Sequence, residues 1–160
     1  MKLRIAQFIN LTLLALVVGV FWGTWFSLSR SIAAFTPETY LAIGQEMIHN
    51  LAAPMQVLMP LTIVSTLVVL VFLPRKRSGA FYLTSIGLLL LVGATLITVL
   101  VEVPIDNQIR NWTVASLPSN WQSIRDRWEF HHAVRTFVSL ASFGCVLAGT
   151  LSSPSDKRAG

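Results

Sequence analysis

AFYLTSIGLLLLVGATLITVLV, residues 80–101, runs for 22 residues without a charged side chain. As an α-helix it would be about 33 Å long, and the hydrocarbon core of a bilayer is about 30 Å thick. It reads as a membrane span. Upstream, about 54–73 is a second span, with Pro60 inside it where the ring should kink the helix. The basic turn Pro74-Arg75-Lys76-Arg77-Ser78-Gly79 joins the two. A first span covers about 5–28. It follows Met1-Lys2-Leu3-Arg4 and ends in Phe21-Trp22-Gly23-Thr24-Trp25-Phe26, an aromatic interfacial anchor. It is longer than a signal-peptide core and is expected to be retained.

Downstream of the third span, Glu102-Val103-Pro104 is expected to end the helix and a loop to follow as far as Pro118. Ser119-Asn120-Trp121-Gln122 has the form of a capping box and should open a fourth helix running to Leu151. That helix would be roughly 45–50 Å long, more than a bilayer needs. Only Thr136 to Leu151 is free of charge. The fourth span is therefore placed at about 126–151, with its first turns outside the membrane or lining a polar cavity. Between spans 1 and 2, Thr36-Pro37-Glu38 is a helix start. A short interfacial helix is expected over about 37–50, with Tyr40, Ile43, Met47 and Leu51 as its apolar stripe. Residues 152–160 read as a flexible tail. The fold class is all-α: a four-helix transmembrane bundle with one interfacial helix, forming a single domain.

Composition agrees. Of the 160 residues 54% are hydrophobic and 12% charged, and soluble domains carry about 25% charged residues. The single cysteine, Cys145, excludes an intramolecular disulfide and thiol-disulfide chemistry; it reads as a small packing residue. The net charge of +5 bears on orientation, not on nucleic acid. With both termini in the cytoplasm, the inner segments hold Lys2, Arg4, Arg75, Lys76, Arg77, Lys157 and Arg158. The outer ones hold Arg30, Arg110, Arg125, Arg127 and Arg135. The excess and tight clustering of the first set favour that orientation. Only Ser and Thr fall near mid-membrane, which disfavours a transporter.

The chemistry gathers at the outer end. His49, His131, His132, all five tryptophans and six of the seven acids fall there. At 100° per residue, Trp121, Arg125, Trp128, His132, Arg135 and Ser139 share a narrow arc of the fourth helix. Charged residues entering a membrane need partners. Glu102, Asp106, Glu38 and Glu46 are the candidates. An ion-pair network holding helices 3 and 4 together would explain the charges; the interleaved tryptophans point instead to a ligand or active site.

Two segments resemble the anthrone oxygenase-like membrane proteins. One is Val103-Pro104-Ile105-Asp106-Asn107-Gln108-Ile109, similar to that family's Val-Pro-x-Asn-x-x-(Ile/Leu) stretch, with Asp106 or Asn107 at the Asn position. The other is the Trp-x-x-x-His-x-x-Arg pattern at Trp128, His132 and Arg135. The resemblance implies oxidation of an anthrone to an anthraquinone by O2, with no metal or flavin cofactor; the expected location is a bacterial inner membrane. It implies His132 as base, Arg135 or Arg125 beside the developing oxyanion, Asp106 orienting His132, and Trp128 as stacking platform. Trp121, Asn107 and Glu102 complete the expected ligand site. Expected partners are the lipid bilayer, a small aromatic ligand and a second copy of the chain through Gly19 and Gly23, a close-packing motif; no nucleic acid is expected. Two other readings stay open. One is a non-enzymatic membrane subunit or binding protein. The other is a metal site drawn from His49, His131, His132, Glu46 or Glu102 and Met47, Met55 and Met59.

Overall fold

A computed structural model describes residues 1–74, 76 and 78–152. Arg75, Arg77, Lys157, Arg158 and the expected tail beyond Ser152 lie outside the described residues. The chain is all-α, and four of its helices are long and apolar enough to cross a membrane. Helix α1, Lys2–Thr24, continues into a π-helical turn, Trp25–Ser29, and a 3-10 turn, Ile32–Ala34. Helix α2 is Pro37–Phe72. Helix α3, Gly79–Ile97, runs through a second π-helical turn, Thr98–Glu102, into α4, Val103–Ile109. A 3-10 turn, Val114–Ser116, leads to α5, Trp121–Leu151.

Three expectations need correcting. The helix expected at 37–50 is present, with Thr36 as N-cap, but it is not a separate element. It runs unbroken through Pro54 and Pro60 into the second span. Both prolines face outward, and transmembrane helices tolerate proline where neighbouring groups re-satisfy the backbone. Second, Pro104 does not end the third helix. The π-helical turn restarts the helix just before it, so Pro104 occupies the first positions of α4. There a missing N–H costs nothing. Third, Asn120 and not Ser119 precedes α5, and it makes no side-chain cap.

The half of the bundle nearest the chain's N-terminus, here the inner half, is held by close contact between α3 and α5. A Cβ on Gly87 would lie 2.6 Å from Val146, and one on Gly149 would lie 2.8 Å from the Thr84 hydroxyl. Ser142 donates to the Gly87 carbonyl at 2.7 Å. Ala141 is exposed, and Ser142, Val146 and Gly149 form the seam. Gly19 and Gly23 are both exposed, with no atom of the chain near their missing Cβ positions.

Helices α2 and α5 are about 54 and 46 Å long, more than the roughly 30 Å of a hydrocarbon core. Their first turns pack with α4 and the end of the α1 segment into a small head. Its core is Ile32, Tyr40, Leu41, Ile105 and Ile109. Gln45 pins the head by donating to the Ile109 and Trp112 carbonyls at 2.9 and 2.8 Å. Those carbonyls lie at and beyond the end of α4, and the Ile109 carbonyl also accepts from the Trp112 N–H at 3.2 Å.

Candidate functional site

The polar face of α5 turns inward, as its spacing requires. His132 is 1% exposed, Arg135 8% and Arg125 8%, and Glu102 from the opposing π-helical turn is fully buried. Arg135 is the hub. Its guanidinium donates to the Thr98 hydroxyl at 3.2 Å, lies 3.1 Å from a Glu102 carboxylate oxygen, and sits 4.4 Å above the Phe21 ring. Thr98 and Glu102 are the first and last residues of the π-helical turn. Such turns recur at functional sites because they change which side chains share a face.

Arg135 also donates two hydrogen bonds to His132 Nδ1, at 2.9 and 3.2 Å. A guanidinium has no acceptor, so Nδ1 must accept. The proton of the neutral ring is then on Nε2. That nitrogen is buried without a hydrogen-bond partner among the described residues. His132 therefore has its lone pair occupied and its N–H unused. Its ring stacks on Trp128 at 4.8 Å and 8°, and meets the Phe21 ring edge-on.

Trp128 carries the arrangement outward. Its indole N–H donates to Asp106 Oδ1 at 3.0 Å. Asp106 thus bonds Trp128, and no hydrogen bond joins Asp106 to His132 among the described residues. Both Asp106 and Trp128 line a narrow cleft in the head. Its remaining wall is apolar and comes mainly from the end of the α1 segment and the first turns of α2: Ile32, Phe35, Tyr40, Ile43, Gly44 and Met47 among others.

The structure gathers Asp106, Trp128, His132, Arg135 and Glu102 into one connected chain. Arg125 and Trp121 stand one turn further out. Arg125 pairs with its neighbour Asp126 at 2.8 Å and covers the Trp121 ring, which packs on Tyr40. Asn107 points away from the site and is exposed. The phase of α4 sends Asp106 inward and Asn107 out. Glu46 accepts from Asn50 rather than from the site. Among the described residues, no three His, Cys, Asp or Glu side chains come together in a way that could hold a metal ion. Met47 lines the pocket as an apolar group. Sequence reasoning missed the α1 and α2 wall. Its signal was the Tyr40, Ile43, Met47 stripe, which faces the pocket and not a lipid interface.

A family model described as anthrone oxygenase matches residues 49–145, more than half of the chain. No curated protein and no solved structure matches. The matched stretch includes every member of the buried chain from Thr98 to Arg135, and the polar wall of the pocket. The apolar wall, up to Ile48, lies before it.

Proposed function

The chain belongs to the anthrone oxygenase family, and from that premise we propose that it is a membrane oxygenase acting on a flat aromatic ketone bound in the outer pocket. The carrying observation is the pair at the pocket wall: a carboxylate, Asp106, held by an indole N–H at 3.0 Å, with apolar surface around it. An anthrone is mostly apolar and has one acidic methylene. Asp106 is the group positioned to take that proton. Trp128 holds one carboxylate oxygen and offers a ring face on which the substrate can stack. The resulting carbanion, delocalised onto the ketone oxygen, is electron-rich enough to react with O2. One oxygen atom ends as the new carbonyl. The other leaves as water with the two methylene hydrogens, so one O2 is consumed per substrate and no other reductant is required.

In this reading His132 is a positioning residue. It lies behind Trp128, and its lone pair is taken by Arg135. Arg135, whose charge acts on both Glu102 and Asp106, stabilises anionic character at the wall from behind. The apolar wall outside the family match would set which aromatic ketone fits, so family membership transfers the reaction class better than the substrate.

The end carrying Lys2, Arg4 and Lys76 belongs in the cytoplasm by the positive-inside rule. The pocket then faces the opposite side of a bacterial inner membrane. Gly19 and Gly23 remain the surface on which a second copy would pack.

The test is O2 uptake by the purified protein with unsubstituted anthrone. The expected result is one O2 consumed per anthraquinone formed, above the spontaneous rate. Gly44→Leu, which fills the pocket, should lose it. Binding of anthrone with no uptake would support a binding protein instead.

A further inference from the structure

A second concave surface lies at the other end of the molecule. Between α1 and α2 a groove of about 470 Å³ runs from Lys2 to Leu13 on one side and from Leu61 to Phe72 on the other. Its shape has a sequence cause. Ala6 and Ser65 are the two small residues of its lining, and larger side chains flank them: Ile5, Ile9, Val64 and Val68. Behind Ser65, the fully buried Asn10 donates to the Ser65 and Thr66 hydroxyls at 2.8 and 2.7 Å. These bonds hold the two helices together at the back of the groove.

We propose that this groove binds one acyl chain of an anionic phospholipid of the inner leaflet. Two observations select that occupant over bulk lipid. The first is length. The twelve residues of helix from Lys2 to Leu13, eleven steps of rise, span about 16 Å, and half of a hydrocarbon core is about 15 Å. The groove therefore accommodates one chain from headgroup level to mid-membrane. The second is charge. Lys2 lines the groove at its outer limit and is exposed. At the same level Lys76 reaches back to the Leu70 and Val71 carbonyls, beside Phe72. Every acidic residue among those described falls on the pocket side of the chain, from Glu38 to Glu46 and from Glu102 to Glu129. A phosphate at the groove mouth meets the free Lys2 ammonium, the Lys76 ammonium being held by carbonyls, and no carboxylate among the described residues. This site shares no residue with the outer pocket, so it stands or falls separately from the oxygenase reading.

The experiment is native mass spectrometry of the full chain in a zwitterionic detergent. It is titrated with phosphatidylglycerol or with phosphatidylcholine of the same acyl chains. The expected result is one bound phosphatidylglycerol, preferred over phosphatidylcholine by about fivefold, the effect of one lysine near a membrane surface. Lys2→Gln, a surface change that leaves the fold alone, should abolish the preference. Ala6→Phe, which fills the groove floor, should remove bound lipid of both kinds; Val64→Trp tests the same blockage from the exposed wall. Equal retention of the two lipids by the wild type overturns the proposal. So does a preference that survives Lys2→Gln, or bound lipid that survives both groove-filling changes.

Discussion

Helix α5 packs against α3 in two opposite ways along its length. In the inner half the contact is backbone against small residues: Gly87 against Val146, Gly149 against Thr84 and Ala80, with the Ser142 hydroxyl satisfied by a carbonyl. In the outer half the helix faces a π-helical turn across an arginine, a histidine and a glutamate. There His132 Nε2 and Glu102 Oε1 are buried without hydrogen-bond partners among the described residues. The inner seam is what stability alone would select. The outer layer leaves polar groups unsatisfied at a cost of about 1–3 kcal/mol each, and functional sites are where proteins carry such costs.

The largest expected effect breaks the outer layer. Arg135→Met leaves Glu102 buried without its partner and should cost about 3–5 kcal/mol, read as a lowered unfolding midpoint in detergent. Arg135→Met with Glu102→Leu should recover most of that stability and still lose O2 uptake. Recovery of both would make the layer mere packing. Next is the inner seam: Gly87→Val should cost about 1–3 kcal/mol by overpacking. A Gly87→Val protein as stable as wild type would mean that the seam is looser than the 2.6 Å approach requires.

A smaller change separates the two roles of Trp128. Trp128→Phe keeps a ring to stack on His132 but removes the bond to Asp106, which as a charge-assisted hydrogen bond is worth about 1.5–3 kcal/mol. Turnover should fall roughly 10- to 100-fold, with the unfolding midpoint moving less than in Arg135→Met. The smallest effect is expected at Gly19→Val. Its Cβ meets nothing within the chain, so the monomer's stability should shift by no more than about 0.5 kcal/mol. A change in oligomeric state measured by light scattering would then locate a subunit contact on α1.

The contrast within α5 was partly legible in the sequence. Helical periodicity is a property of one segment, so the inward face from Trp121 to Ser139 follows from spacing alone. The His132–Arg135 contact is likewise a matter of three residues along a helix. The π-helical turn at Thr98–Glu102 was not legible, because a run of apolar residues carries no mark of where one extra residue enters a turn. Without it Pro104 reads as a stop, and Asn107 appears as able to face the site as Asp106. The pocket was hidden for a different reason. Its apolar wall comes from α2, and a continuous α2 becomes visible only once Pro54 is seen to face outward. Apolar residues that face lipid and those that line a pocket have the same composition.

The most direct measurement is steady-state O2 uptake with anthrone by Asp106→Asn, alongside anthrone binding read from tryptophan fluorescence. The amide keeps the shape and an oxygen for the Trp128 N–H to bond but is far too weak a base. The expected result is turnover lowered by about 100-fold or more with binding retained. Turnover equal to wild type would contradict the assignment of the chemistry to the Asp106–Trp128 wall.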